Sequence, residues 1–294
     1  MPRQDSILGF RLPRALLDVV RSPGLARMHS GGLGLAAAVG LTAHGAIATE
    51  RHFSYTYETG VLGPGHAEIE PWTTHRYGRT DYYSRFDQRL ELELGVVEGL
   101  QTALYWNFEA TTEDQVDANG DTVRLSGFDF ASVSSEWKFK LSDPVADTLG
   151  SALYVEGSLG PREAAIEGKL LLDKRWGPWI VAVNLVAERE WEFEAPGETE
   201  KETELEVDLA AGYLILPELS VGAEARQVNG VEAGELEASV VYAGPVFAYA
   251  SDGWWATLTV LPQLVSFAET SADSRLDLEH QERLQTRILL GLHL

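Results

Sequence analysis

The chain has 294 residues and a formal net charge of −22, from 45 Asp and Glu against 23 Lys and Arg. This balance excludes the clustered Lys and Arg with which proteins bind a phosphate backbone, so nucleic acid is not an expected partner. With 45% hydrophobic residues the chain can bury a core, and with no cysteine it has no disulfide, thiolate metal site or cysteine nucleophile.

Residues 1–48 have the pattern of a secretory signal. A lead rich in arginine is followed by a short apolar stretch, Gly31 to Ala43, and by the small-residue sequence Ala46-Ile47-Ala48. The apolar stretch is shorter than the ~20 residues that a membrane-spanning helix needs. We therefore predict export and cleavage after Ala48, with an uncleaved N-terminal anchor as the alternative and with either Met1 or Met28 as the start.

Residues 49–65 form a lead segment that we expect in the periplasm or in the lumen of a barrel. Within it, residues 52–64 are a candidate for an additional strand.

From residue 66 onward, apolar residues recur with a period of two, which is typical of strands with one apolar face. In "RFDQRLELEL", for example, Leu90, Leu92 and Leu94 alternate with charged side chains. Turn signals such as Asn119-Gly120 separate these runs. The pattern predicts about twelve strands, near 66–77, 80–95, 100–112, 122–141, 150–159, 162–174, 178–193, 202–215, 218–228, 234–248, 254–268 and 281–294.

The connections between these strands differ in length in a regular way. The long polar ones, "TEDQVDANGD", "APGETEK" and "SADSRLDLEHQ", all fall on one side of an up-and-down arrangement, and most of those on the other side are tight turns. This layout is typical of bacterial transmembrane barrels. We predict an all-β, up-and-down antiparallel transmembrane β-barrel over residues 66–294, with about twelve strands, fourteen being the alternative. A soluble barrel with its acids outside is the alternative fold.

Tryptophans lie mostly toward the ends of the predicted strands, where aromatic side chains of membrane proteins meet the lipid–water interface. We expect this interfacial position for Trp106, Trp137, Trp179, Trp191, Trp254 and Trp255.

The last strand, with Ile288, Leu290, Leu292 and Leu294 on one face, resembles the C-terminal recognition strand of outer-membrane β-barrel proteins. It departs from that pattern by ending in Leu where a terminal aromatic residue is usual. The segment "HFSYTYETGVLGPGHAEIEPWTTHRYGR" is similar to the start of an uncharacterised family of proteobacterial outer-membrane barrels, from which no activity follows. The resemblance implies location in the Gram-negative outer membrane, contact with its lipid, and recognition of the last strand by the outer-membrane assembly machinery.

If the apolar faces meet lipid, the charged faces point into the lumen. The residues that we expect to line it are Arg89, Glu91, Glu93, Glu109, Glu136, Lys138, Glu167, Lys169, Asp173, Glu188, Glu190, Glu204, Glu206, Asp208 and Arg287. Carboxylates in a narrow pore attract cations and repel anions. We therefore predict a cation-preferring pore for small cationic or neutral solutes; the alternative is that these side chains fill the interior of a non-conducting, structural or surface-interaction barrel.

No catalytic residue, cofactor or metal site is expected. "DANGDT" begins like a calcium loop, but it has Thr122 where the loop's Gly belongs and lacks the closing Glu, which favours a hairpin tip. His75 and His280 lie outside any nucleophile motif, so a lipid-modifying enzyme ranks third among the hypotheses.

Overall fold

A computed structural model describes residues 50–117, 119–194, 198–232, 234–268 and 274–294. The signal predicted for residues 1–48 lies outside this part of the chain. Within the part described, no helix has the length and hydropathy to cross a membrane.

The described residues form twelve strands that close into one antiparallel barrel in chain order, which confirms the predicted fold class. Residues 52–64 are not a strand, so the fourteen-strand alternative is wrong. The strands are β1 Ala67–Tyr77, β2 Tyr83–Val97, β3 Leu100–Val116, β4 Thr122–Ser142, β5 Gly150–Leu159, β6 Glu163–Trp176, β7 Trp179–Glu194, β8 Glu198–Leu216, β9 Leu219–Glu232, β10 Glu235–Ser251, β11 Trp254–Ser266 and β12 Leu284–His293.

The barrel closes where the last strand pairs with the first. The β1–β12 register runs from Glu68↔His293 to Tyr77↔Leu284. Beyond it, the Leu294 N–H donates to the Ala67 carbonyl at 3.0 Å. Because each of the twelve described strands has two neighbours, the described part of the sheet has no edge with unpaired N–H and C=O groups facing hydrocarbon.

The barrel wall carries apolar side chains on its outer face and charged side chains on its inner face, which is the reverse of a soluble barrel. On β2, Leu90, Leu92 and Leu94 are 44%, 38% and 44% exposed on the outer face, whereas Glu91 and Glu93 are only 2% and 5% exposed on the inner face. In water this distribution would expose apolar surface and bury charge, both of which cost free energy. It suits a wall with lipid outside, so the soluble alternative is not supported.

Two of the three connections predicted to be long are partly strand, whereas the third lies in the long connection between Ser266 of β11 and Leu284 of β12. β3 continues to Val116 and β4 begins at Thr122, so only a short tip separates them. With 17 and 21 residues, these strands exceed the roughly 9–11 residues that cross a membrane and extend beyond it as a hairpin. At the tip, the Asp117 carboxylate accepts the N–H groups of Asn119 and Asp121 at 2.8 and 2.9 Å, as in a turn.

Trp255 is placed on the wrong face by the sequence analysis. Its side chain is fully buried inside the barrel, beside Trp72 and Leu289, and its indole N–H donates to Glu68. Consecutive strand residues point to opposite faces, so Trp254 and Trp255 cannot both meet lipid. Gly291 on the facing strand is required here, because a Cβ at that position would overlap the Trp255 indole and the Glu68 carboxylate.

Gly291→Ala should therefore destabilise the closed barrel, by about 1–3 kcal/mol for an overpacked site. Gly168→Ala on β6 is the matched control, because a Cβ there meets no atom within 4 Å. Urea titration of the folded, heat-modifiable form measures the difference. Equal stability of the two variants would contradict the close packing of β11 and β12 on Glu68.

Candidate functional site

Residues 50–65, which we call the plug segment, lie inside the barrel. Three aromatic side chains of the segment, Phe53, Tyr55 and Tyr57, are buried against different parts of the wall. Phe53 packs with residues of β7, β8 and β10, Tyr55 with residues of β9 to β11, and Tyr57 with residues of β5 and β6.

Side chains of the wall satisfy the backbone of the plug segment. The Glu224 carboxylate accepts the N–H groups of Ser54, Tyr55 and Thr56 at 3.2, 2.9 and 2.8 Å. Asn184 accepts the Tyr57 N–H at 2.6 Å and donates back to the Tyr57 carbonyl at 2.9 Å. A buried backbone that lacks a strand partner would otherwise leave these groups unpaired at a cost of a few kcal/mol.

Two further wall side chains hold the later part of the segment. The Leu62 N–H donates to Gln101 Oε1 at 2.8 Å, and the Thr59 hydroxyl donates to Asp173 Oδ1 at 2.6 Å. Asp173 was expected to line the lumen; it is buried under the plug segment instead.

Glu58 carries the charge that anchors the segment. Its carboxylate accepts from Arg175 at 2.6 Å and lies 3.1 Å from His52 Nδ1. Burial alone would raise the pKa of Glu58, but His52 and Arg175 outweigh it and hold that pKa well below the ordinary 4.5. Because the pKa of Glu58 is lower in the folded state, the ionised carboxylate stabilises the fold fully above about pH 4.5. This stabilisation is lost as the pH falls through the lowered pKa of the folded state.

A cavity lies between the plug segment and the end of the barrel that carries the long hairpins. It measures about 400 Å³ and has Tyr55 and Tyr57 in its lining. A second volume of about 740 Å³ at the mouth shares several lining residues with it. The lumen is therefore open toward the hairpins and filled by the plug segment at the opposite end.

One wall of this cavity is acidic. Glu188 faces Glu204 and Glu190 faces Glu202 across the β7–β8 pair, and Glu163 faces Glu192 across β6–β7. Like charges directly opposite each other destabilise a sheet. None of these six carboxylates, which we call the acidic ladder, has a basic partner within 4.0 Å among the described residues.

The opposite wall carries arginines. In a closed ring of twelve strands, β1 lies six strands from β7, so the two face each other across the lumen. Arg76 on β1 pairs with Asp87 at 2.6 Å, and Arg85 on β2 pairs with Glu109 at 2.9 Å. Arg287 on β12 has no acidic partner among the described residues and stacks 3.8 Å from the Tyr55 ring centre. The cavity thus has a negative and a more positive side.

The structure divides the residues predicted to line the lumen into two groups. The first group lines the open cavity: Arg89, Glu109, Glu167, Lys169, Glu188, Glu190, Glu204, Glu206, Asp208 and Arg287. The second is inside the barrel but shut away from that cavity: Glu91, Glu93, Glu136, Lys138 and Asp173. Sequence analysis did not identify Asn184, Glu224 or Arg226, because a polar residue in an alternating run gives no sign of what it contacts.

The predicted interfacial tryptophans other than Trp255 lie on the outer face. Trp106, Trp137, Trp179 and Trp254 are substantially exposed there and Trp191 is partly exposed. Their position at the lipid–water boundary remains a prediction.

Histidine and serine meet at one place on the outer face. His75 Nε2 lies 3.0 Å from the Ser84 hydroxyl, and the imidazole stacks on Phe86 at 4.2 Å. A hydrolytic triad also needs a group that orients the imidazole. Among the described residues no carboxylate is hydrogen-bonded to His75, and His280 contacts Asp277 without a serine. In the part of the chain that the structure describes, neither histidine therefore has both partners of such a triad.

Comparisons with known proteins agree with the fold. The crystal structure of the COG4313 outer membrane channel from Pseudomonas putida F1 is similar, with a TM-score of 0.57, 10% identity, and coverage of 82% of this chain and 99% of that one. The NanC porin structure has a TM-score of 0.48 and 10% identity, over 77% of this chain and 100% of that one. At 10% identity the likeness to the first of these structures concerns the fold, and with the closed twelve-strand ring it confirms the expected outer-membrane β-barrel fold.

No curated protein matches the chain. A sequence profile for a family of unknown function, DUF6662, matches residues 45–294. The chain belongs to this family.

Proposed function

We propose that the chain forms a channel of the Gram-negative outer membrane for small solutes that carry a cationic group or no net charge. The observation that carries this proposal is the acidic ladder, whose unpaired carboxylates face a cavity of several hundred Å³. Such a surface concentrates cations near the mouth and repels anions. The arginines on the opposite wall make the proposed solute more specific. A solute with one cationic end and one polar or anionic end can bind the acidic ladder and the arginines at the same time.

Export by a signal in residues 1–48 and assembly through the C-terminal strand belong to the same proposal. The outward side chains of Ile288, Leu292 and Leu294 are exposed on the outer face and suit lipid contact. Recognition by the assembly machinery rests on the resemblance of that strand.

A second candidate function is favoured by the plug segment. A barrel whose lumen is filled at one end conducts poorly, which supports a structural or surface-interaction role. In our proposal the plug segment shifts to let solutes pass, and its contacts with the wall set how readily it does so.

Conductance of the refolded chain in a planar bilayer, with a salt gradient, tests the channel. We expect cation-preferring steps, and we expect Glu188→Gln with Glu204→Gln to lower the cation-to-anion permeability ratio by roughly twofold or more, because the ladder loses charge where ions pass. The pair is preferable to one that includes Glu206, which Arg226 holds in an ion pair.

The matched control is Glu98→Gln with Glu218→Gln, which removes the same charge from two short turns outside the lumen. A folded protein that stays electrically silent would contradict the channel and leave the structural role. An equal change in the control would show that the ladder does not set selectivity.

Glu224→Ala tests whether the hydrogen bonds to Glu224 keep the plug segment in place. Loss of this acceptor leaves the N–H groups of Ser54, Tyr55 and Thr56 unpaired, each at about 1–3 kcal/mol, so their hydrogen exchange should speed up at least tenfold. Glu204→Ala, at a wall position without a hydrogen bond to the plug segment, should leave these rates unchanged. Unaltered exchange in Glu224→Ala would contradict the anchoring role of Glu224.

A further inference from the structure

Five carboxylates lie on the inner face of β1, β2 and β4, away from the open cavity. They are 0–5% exposed and belong to Glu68, Glu70, Glu91, Glu93 and Glu136. None of them lines the cavity of the proposed channel.

Strand register brings these side chains together. Glu68 pairs with Glu93, Glu93 with Ala103, and Ala103 with Glu136, so one row of inward positions crosses four strands. Ala103 is the only small member of the row and leaves room for Glu136 to extend toward Glu93.

Few basic groups balance this charge. Arg51 of the plug segment lies 3.9 Å from Glu70, Lys138 is a second buried base nearby, and His293 Nε2 lies 3.6 Å from Glu68. Counting Arg51 and Lys138 alone as cations, the five carboxylates leave three negative charges when all are ionised. Burial of unpaired charge is costly, so a site of this kind takes up either protons or a cation.

Two of the carboxylates accept no hydrogen bond from the described residues. Both oxygens of Glu70 and both oxygens of Glu136 lack a hydrogen-bond partner, although these side chains are 1% and 0% exposed. Elsewhere in the lumen, buried carboxylates such as Glu224 accept several hydrogen bonds. Buried acceptors without donors require an explanation, and a bound ion is one that the geometry can be tested against.

The spacing of the oxygens fits one ion. One oxygen each from Glu68, Glu70 and Glu93 lie within 4.8 Å of one another. Oxygen ligands stand about 2.4 Å from Ca²⁺, so two ligands of the same ion are at most about twice that distance apart. A single cation can therefore touch all three carboxylates.

We propose that Glu68, Glu70 and Glu93 bind a divalent cation of the calcium class, with Glu136 as a further carboxylate beside it. An all-carboxylate oxygen set favours such hard cations. The cation reduces three uncompensated charges to one. It also ties β1, β2 and β4 together at the end of the barrel that the plug segment fills, and it competes with Arg51 for Glu70.

Terbium luminescence tests the site, because Tb³⁺ binds calcium sites and Trp255 next to Glu68 can transfer excitation energy to it. The protein is refolded without lipopolysaccharide and freed of metal with a chelator. Excitation of tryptophan should then give Tb³⁺ emission that saturates at one ion per chain and that Ca²⁺ suppresses.

Glu70→Gln with Glu93→Gln should weaken Tb³⁺ binding at least tenfold, since ligand charge sets affinity in such sites. Glu188→Gln with Glu204→Gln, which removes the same charge from the acidic ladder, should bind as the unaltered chain does. If the double variant does not fold, Glu136→Gln replaces it and should also weaken binding.

The proposal is wrong if the folded chain gives no sensitised emission, or if the ladder variant loses it as fully as the Glu70 and Glu93 variant. In either case protons neutralise the five carboxylates. The result is independent of conductance, because Tb³⁺ emission is read from the folded chain and requires no passage of solute.

Discussion

The structure depends on the pairing of the last strand with the first. Lipid offers no hydrogen bonds, so every backbone group in the hydrocarbon must find a partner within the sheet. The β1–β12 ladder completes the ring and leaves no strand edge. Once the ring is closed, the pleat sends alternate side chains to lipid and to the lumen. That is why a chain with 45 acidic residues can end on a strand as apolar as "ILLGLHL".

The acidic side chains inside the barrel lie in three different environments. Near the mouth, the acidic ladder is left unpaired where water reaches it. Across the lumen, arginines are matched to Asp87, Glu109 and Glu156. At the filled end, Glu224 and Asp173 accept hydrogen bonds from the backbone and side chains of the plug segment. The same residue type thus serves as an attractant for solutes, an ion-pair partner and an anchor, according to how much water is near.

Sequence patterns predicted most of the fold, because a period of two and the turn residues are local signals. The predictions failed where the same local sequence pattern is compatible with two different structures. Trp254 and Trp255 read alike in the sequence, yet the pleat sends one to lipid and the other to Glu68. The polar connections after β3 and β7 are partly strand, because hairpins extend beyond the membrane without any change in alternation, whereas the connection before β12 is long as predicted.

The contacts of the plug segment could not be predicted from the sequence, for a different reason. Its partners, Glu224 and Asn184, are more than 120 residues away in the chain, and nothing in "YTYETG" specifies them. Glu91, Glu93 and Glu136 are likewise predicted to line the lumen but lie away from the open cavity, since alternation gives the face of a residue but not what covers it. Contacts across a lumen depend on closure of the ring, which no single segment encodes.

The central claim is that acidic side chains face water inside the barrel while apolar ones face lipid outside. Because the chain has no cysteine, an introduced thiol is unique. Single variants Leu185→Cys, Ala187→Cys, Glu188→Cys and Glu190→Cys on β7, inserted into liposomes, can be treated with a charged, water-soluble thiol reagent. The account predicts rapid labelling at 188 and 190 and protection at 185 and 187. Labelling at 185 and 187 with protection at 188 and 190 would contradict it.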